Sequence, residues 1–91
     1  MALNQTLKAI SDPIRRQILE SLRSQDRTAG EIAAQFNLSG ATVSYHLRLL
    51  REAGLVTQTK AKNFVIYRLN TTVFEELLGW IYTLGGRNDE N

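Results

Sequence analysis

Residues 28–54 read TAGEIAAQFNLSGATVSYHLRLLREAG, and two helix-start signals stand close together within them. Thr28 and Glu31 have the spacing of a capping box, in which each side chain bonds the backbone N–H of the other residue. Ser39 is a second N-cap residue, and Asn37 before it suits a left-handed helix exit. A short helix, a connection of about three residues and a longer helix with its own cap form the helix-turn-helix pattern.

The segments on either side of this pattern complete the predicted fold. Before it, we expect one helix over about residues 3–10 and a second that starts with the N-cap Asp12 and runs to about Arg23. After Gly54 the apolar period changes to two, which predicts a β-hairpin over 55–69 and then a last helix over about 73–84. The prediction is a mostly α fold with a β-hairpin wing, an α+β winged helix-turn-helix in the order α-α-α-α-β-β-α, forming one domain over 1–91.

Composition excludes several classes of function. The chain has 91 residues and no cysteine, which removes disulfides, thiolate metal sites and cysteine catalysis. Paired carboxylates, a nucleophile with a base and a phosphate-binding glycine loop are also missing, so we expect no enzyme. No apolar stretch approaches the roughly 18 residues of a membrane span, and the N-terminus does not resemble an export signal. The expected location is the cytoplasm.

The positive charge is concentrated in the middle of the chain. Residues 39–68 carry five basic side chains against one acidic one, a net charge of +4. Such a segment attracts polyanions. Lys60 and Lys62 flank the hairpin tip, where Asn63 is expected to take the left-handed conformation. Lysines on an edge hairpin also prevent strand-to-strand aggregation, and this structural role is compatible with binding a polyanion.

The longer helix, from Ser39 to Ala53, has a core face and an outer face. Val43, Leu47 and Leu50 repeat at helical spacing and predict the core side. The outer face is small and polar toward its N-terminus, where a helix can enter the DNA major groove. His46 lies at the edge of the core face and suits a structural or a phosphate-contacting role. The candidate DNA-binding residues are Ser39, Gly40, Ala41, Thr42, Ser44, Tyr45, His46 and Arg48 on this helix, with Lys60 and Lys62 on the wing.

The last helix is apolar nearly all round. One stripe can pack on its own domain, but a chain of this size cannot bury the rest without a partner. The first helix offers a second apolar face, so we predict a two-fold dimer through the terminal helices. A ligand pocket under Trp80 is the alternative. The candidate interface residues are Leu3, Leu7, Leu77, Trp80, Ile81 and Leu84.

Two segments resemble the ArsR-type family of bacterial repressors: AISDPIRRQIL at 9–19 and TVSYHLRLLREAGLV at 42–56. The first is similar to the signature of that family's second helix, and the second to its recognition helix and exit. The likeness covers roughly residues 3–84, and the length and lack of cysteine look closest to the small SdpR-like autorepressors. The resemblance implies a homodimer that binds a pseudo-palindromic operator on double-stranded DNA and releases it on an inducing signal.

The metal sites of the family do not fit this sequence. Where many members have a cysteine pair, this chain has Ala33 and Gln35, and its last helix has no histidine. We therefore expect neither metal nor cofactor. The resemblance suggests that a sequestering, membrane-bound protein is the partner that relieves repression. A winged-helix module that binds proteins and never touches DNA is the alternative function, and the charge of residues 39–68 argues against it.

Overall fold

The computed structural model describes residues 3–86, and five helices and three strands follow one another along them. The predicted order is confirmed, and so is the α+β winged helix-turn-helix fold, with one short additional strand before the third helix. The elements are α1 (Leu3–Ile10), α2 (Pro13–Ser21), β1 (Arg27–Thr28), α3 (Ala29–Phe36), α4 (Gly40–Glu52), β2 (Val56–Ala61), β3 (Phe64–Leu69) and α5 (Thr71–Gly85).

Polar side chains begin the helices where the sequence predicts them. Thr28 Oγ1 accepts the N–H of Glu31 at 3.1 Å, and Glu31 Oε1 accepts the N–H of Thr28 at 2.8 Å, so the capping box is formed. Ser39 Oγ accepts the N–H of Thr42 at 3.1 Å at the start of α4. Asp12 caps α2 in the same way. Each cap satisfies backbone donors that have no partner within the helix.

Two helices differ in length from the prediction. α2 ends at Ser21, before the expected end near Arg23, because the N–H of Leu22 is shared between the carbonyls of Ile18 and Leu19, at 3.2 and 3.1 Å, and the N–H of Arg23 bonds a carbonyl three residues back, at 3.2 Å. This tightens the last turn and stops the α-helical ladder. α5 begins at Thr71, about two residues early, since Asn70 Oδ1 caps the N–H of Thr72 at 3.3 Å.

The Asp12 cap gives a first prediction, on stability. Its carboxylate accepts the N–H groups of Ile14 at 2.8 Å and Arg15 at 3.1 Å. Burial acts to raise the pKa of Asp12, but these two bonds and the charge of Arg15 outweigh it, so the pKa lies below its ordinary value. Asp12→Ala should lower the free energy of unfolding by about 1 kcal/mol near neutral pH.

The pH dependence of that loss follows from the lowered pKa. The part of the Asp12 stabilisation that depends on its charge is complete above the unfolded pKa of about 3.9 and disappears as the pH falls through the lower pKa of the folded chain. In urea titrations the difference in stability between wild type and Asp12→Ala should therefore become smaller in acid, where the protonated Asp12 still offers a capping oxygen. Asp12→Asn is the control, because it keeps a capping oxygen that does not titrate. A difference between wild type and Asp12→Ala that persists unchanged in strong acid would contradict this.

The three strands form an antiparallel sheet in the order β1-β3-β2. β2 and β3 pair from Val56 opposite Leu69 to Ala61 opposite Phe64, which leaves a two-residue turn at the tip. β1, which lies between the second helix and the capping box and has no strand signal in the sequence, pairs with β3 through only two residues on each strand. A strand this short has no period of its own and is defined by its distant partner.

The hydrophobic core contains the residues of α4 that the sequence pattern predicts to be buried. Val43, Leu47 and Leu50 are all buried in α4, as predicted. They belong to one cluster with residues of every helix before α5 and of the start of β2. Gly54 ends the α4 segment at a φ of 77°, in the left-handed region that favours glycine. The fully buried side chains are Thr6, Ile18, Ile32, Val43, Leu47, Leu50, Leu55 and Val56.

Candidate nucleic-acid interface

A tight turn presents the N-terminal end of α4 at the protein surface. Asn37 ends α3 with a φ of 55°, the left-handed exit that the sequence predicts, and Leu38 leads directly to the cap Ser39. Ser39 Oγ also donates to Thr42 Oγ1 at 2.9 Å. This bond holds the Thr42 side chain in the first turn, where a helix that enters a groove contacts bases.

Most candidate side chains of α4 share one exposed face. Ser39, Gly40, Ala41, Ser44, Tyr45 and Arg48 are exposed, and Thr42 is half-buried. The Tyr45 side chain, 51% exposed, is the largest group on this face. Small residues surround it, so the helix can approach another surface closely at this end.

Arg48 makes two contacts on this face, one with Tyr45 and one with Glu52. The guanidinium carbon of Arg48 lies 5.6 Å from the centre of the Tyr45 ring, a cation–π distance. Arg48 Nη1 also lies 3.3 Å from Glu52 Oε2. An exposed ion pair of this kind contributes little stability, so Arg48 can exchange Glu52 for a phosphate at small cost.

His46 differs from the other candidates on α4 because it is buried. Only 6% of it is exposed, and its ring contacts the guanidinium of Arg15. The structure thus places His46 on the inner side of α4, away from the face formed by Ser44 and Tyr45. The structural role that the sequence left open fits this position, whereas direct contact with phosphate does not.

The wing carries its two lysines on the surface, but its turn differs from the prediction. Lys62, with a φ of 57°, is the left-handed residue, and Asn63 is not. That prediction was wrong because β2 extends to Ala61 and shortens the turn by two residues. Lys60 therefore lies within a strand, while Lys62 occupies the tip, and both are exposed.

Three features of the wing were not found from the sequence. Arg51 Nη1 donates to Gln58 Oε1 at 2.9 Å and ties the end of α4 to β2. Arg68 bonds Asp26 Oδ2 at 3.0 and 3.2 Å in an exposed ion pair, so it has an acidic partner as Arg48 has, whereas Lys60 and Lys62 have none among the salt bridges of residues 3–86. Phe64 is 60% exposed beside the turn. Arg68 and Asp26 are 42 residues apart, and Arg51 and Gln58 lie on different elements, so the periodicity of a single element gives no signal for either bond.

Arg15 is a further residue that the sequence analysis did not single out. It is only 7% exposed although it is charged, and it bonds both the end of α1 and His46. A signal for its burial was present, because Arg15 precedes Ile18 and Leu22 at the spacing of a core face. Its bonding partners could not be found in this way.

The second half of α5 extends beyond the body of the domain. Val73, Phe74 and Leu77 pack at its start, whereas Leu78, Tyr82 and Leu84 are 66, 64 and 65% exposed. The longest dimension of the protein is 56 Å, and its radius of gyration of 14.9 Å exceeds the roughly 12 Å of a compact chain of this length. The apolar stripe of α5 is therefore longer than the part of the domain against which the helix packs.

The predicted interface residues divide into buried and exposed groups. Leu77 is 6% exposed and packs within its own subunit. Leu3 is half-buried, whereas Leu7, Trp80, Ile81 and Leu84 have exposed fractions of 37, 38, 47 and 65%. Ile81 and Leu84 lie on the same side of the helix as Leu77, one turn and two turns further on.

Other kinds of site are not found in the described part of the chain. Residues 3–86 contain no group of three or more His, Cys, Asp or Glu that could hold a metal ion. No helix in that range is long and apolar enough to cross a membrane. An apolar groove of about 310 Å³ lies at the start of α5, lined by Leu19, Glu20, Arg23, Leu69, Thr71 and Phe74, at the opposite end of the helix from Trp80.

Comparison with known proteins agrees with this geometry. The family described as bacterial regulatory proteins of the ArsR family matches residues 12–58. The transcriptional repressor SdpR of Bacillus subtilis is 39% identical over 89 residues, which are 98% of this chain and 99% of that protein. An ArsR-like transcriptional regulator from Rhodococcus sp. RHA1 superimposes with a TM-score of 0.84 at 26% identity, over 92% of this chain and 79% of that one.

A second solved structure, HlyU from Vibrio cholerae, has a TM-score of 0.75 and 30% identity, over 93% of this chain and 92% of the other. The resemblance stated from the two sequence segments is confirmed, and these relatives are regulators of transcription rather than enzymes. The chain belongs to the ArsR family of bacterial regulatory proteins.

Proposed function

We propose that this protein is a homodimeric bacterial transcriptional repressor that binds a pseudo-palindromic operator. In this proposal each α4 enters a major groove, and each wing contacts the flanking backbone or minor groove. The whole of 1–91 acts as one winged helix-turn-helix domain, and its terminal helices form the dimer interface. The exposed face of α4, with a basic wing beside it, is the observation that carries the proposal.

The chemistry of the α4 face suits base reading. Ser44 and Thr42 carry hydroxyls that can bond several base edges, and the Tyr45 ring can contact a thymine methyl while its hydroxyl bonds a base. Arg48 lies one turn further on, where the backbone of the groove wall is in reach. Ser39, Gly40 and Ala41 let the helix end approach the duplex closely.

The wing suits contact with phosphate. Lys60 and Lys62 are exposed, and neither has an ion-pair partner among the salt bridges of residues 3–86. The Arg51–Gln58 bond fixes the wing against the end of α4. Both lysines therefore stay on the flank of the helix that reads the groove.

The overhang of α5 supports the dimer. Trp80, Ile81 and Leu84 continue the apolar stripe past the domain body, and a second copy related by a two-fold axis covers the same stripe on both subunits. Leu3 and Leu7 on α1 extend that surface. The alternative of a ligand pocket under Trp80 has less support, because the apolar groove beside α5 lies at the start of the helix, away from Trp80.

Repression is favoured over activation by the extent of the likeness. In sequence, the repressor SdpR is 39% identical over 98% of this chain, whereas HlyU of Vibrio cholerae, named a transcriptional activator, is 33% identical over 86% of it. A cytoplasmic location accords with this role. Relief of repression by a sequestering, membrane-bound protein stays a prediction, because no feature of the described residues points to such a partner.

The protein-interaction module without DNA binding is the competing function. Its test is selection of random duplexes by the purified protein, followed by sequencing of the bound fraction. A repressor should enrich an inverted repeat whose half-sites lie about one helical turn apart. Recovery of duplexes with no common sequence would contradict the proposal and favour the competing module.

Lys62 at the wing tip gives a second prediction, on salt dependence. If each subunit loses one phosphate contact in Lys62→Ala, the slope of log affinity against log salt should fall by about 2 for the dimer. The affinities for operator and random duplexes should fall by the same factor, because phosphate carries no sequence information. Titration of both duplexes at several salt concentrations checks this, and an unchanged slope would remove Lys62 from the interface.

A further inference from the structure

Arg15 bonds the last turn of α1 from its position on α2. Its Nε donates to the carbonyl oxygen of Ala9 at 2.7 Å, and its Nη2 to that of Lys8 at 3.3 Å. Carbonyls in the last turn of a helix lack partners within it, and a cation there also interacts favourably with the helix dipole. Arg15 therefore fixes the end of α1 to α2.

The same guanidinium also reaches the middle of α4. Arg15 Nη1 lies 3.2 Å from Nδ1 of His46, and both side chains are buried. Because a guanidinium has only donors, we assign Nδ1 of His46 as the acceptor and the ring proton to Nε2. One arginine thus joins α1, α2 and α4.

The contacts continue from His46 to the exposed face of α4. The ring centres of His46 and Tyr45 are 5.4 Å apart in an edge arrangement at 62°. Arg48 then lies 5.6 Å above Tyr45. An unbroken series of contacts leads from the end of α1 to the groups proposed to read bases.

Stability alone does not require a charge at this position, although the guanidinium interacts favourably with the end of α1. Replacing buried charged groups with apolar side chains of similar size is often neutral or stabilising, since their desolvation is costly. Fully bonded buried polar groups can instead fix one relative arrangement of the elements they join. Here those elements are a helix of the proposed dimer interface and the proposed reading helix.

We propose that Arg15 and His46 are positioning residues for sequence recognition. They set the rotation of α4 against α1 and hold the Tyr45 ring in the orientation that contacts bases. This inference rests on the proposed function. It predicts that breaking the Arg15–His46 bond lowers affinity for the operator while affinity for random DNA stays nearly constant.

The first variant is Arg15→Met, which keeps an apolar stem of similar length and removes all three bonds. Affinity for the selected operator should fall about a hundredfold, because the dimer loses one good base contact, worth about tenfold, at each of its two half-sites. Affinity for a scrambled duplex should change less than about twofold, because the phosphate contacts remain. His46→Phe keeps a ring beside Tyr45 but removes the acceptor, and the same selective loss is expected.

A double-mutant cycle separates positioning from a general structural role. If Arg15 acts through Tyr45, then Arg15→Met added to Tyr45→Ala should cost less than about a further twofold. The same hundredfold loss in both backgrounds would overturn the inference. Circular dichroism melts set a temperature at which every variant is folded, and His46→Phe carries the cycle if Arg15→Met does not fold.

The other possible outcomes distinguish a failure of the positioning role from a failure of the proposed function. Folded Arg15→Met and His46→Phe that both keep the full preference for the operator would overturn the positioning role and leave the proposed function intact. An equal loss of affinity for the operator and for the scrambled duplex would also overturn the positioning role. Wild type without preference for any duplex would overturn the proposed function itself.

Discussion

Ile81→Asp should separate the two subunits and lower operator affinity by about a hundredfold or more. Ile81 is 47% exposed in one chain, on the side of α5 that continues the core-facing stripe. An aspartate there is tolerated in the single subunit but must lose its water in the proposed interface, at a cost of several kcal/mol. A lone subunit then binds a single half-site. It loses the gain in affinity, a factor of about 10²–10⁴, that comes from binding both half-sites at once. Sedimentation equilibrium and operator titration measure the two effects.

Thr83→Asp is the matched control. Thr83 is exposed on the polar side of the same helix, near Glu75, Glu76 and Gly79. The same charge at this position should leave the dimer and operator affinity within about twofold of wild type, since surface substitutions rarely have larger effects. A dimer that survives Ile81→Asp, or a wild type that sediments as a monomer at micromolar concentration, would contradict the interface.

Leu77→Ala should act differently from the exposed positions of α5. Because Leu77 is buried within its own subunit, its truncation should lower the free energy of unfolding by about 2–5 kcal/mol. Any weakening of dimer formation by Leu77→Ala should result from the smaller fraction of chain that is folded. Thermal melts of Leu77→Ala and Ile81→Asp side by side distinguish packing within a subunit from packing between subunits.

Tyr45→Ala and Ser44→Ala should weaken operator binding selectively. Each lost base contact should cost about 1–3 kcal/mol, and a dimer loses it at both half-sites. Affinity for random DNA and the salt slope should stay near their wild-type values, because no cation is removed. Arg48 is a neighbour on the same face, and Arg48→Ala should instead reduce the slope if it meets phosphate.

The pattern across duplexes decides whether α4 is placed correctly. Tyr45→Ala and Lys62→Ala are titrated on operator and scrambled DNA at several salt concentrations. Equal weakening of both duplexes by Tyr45→Ala, together with a change of sequence preference in Lys62→Ala, would mean that the reading face has been assigned to the wrong element.

The helical part of the fold could be predicted from the sequence because its signals are local. The capping box at Thr28, the cap Ser39 and the left-handed exit at Asn37 each depend on a few neighbouring residues, and all three are present in the structure. The core positions of α4 follow from its period alone. The exposed face of α4 then follows as the complement of that core.

The parts that were missed depend on contacts between distant segments. β1 exists only through its pairing with β3, and the left-handed position at Lys62 depends on how far β2 extends. The burial of Leu77 against the exposure of Leu84 depends on where the domain body ends beneath α5. Periodicity shows that both lie on one apolar face and cannot show where that face becomes uncovered.

The central claim is that two chains together read one inverted repeat. Its most direct test is titration of wild type against the selected operator and against a duplex of equal length with one half-site scrambled, with the mass of each complex measured by sedimentation. We predict two chains on the intact operator and about a hundredfold weaker binding to the single half-site. One chain per duplex with equal affinity for both DNAs would contradict the account.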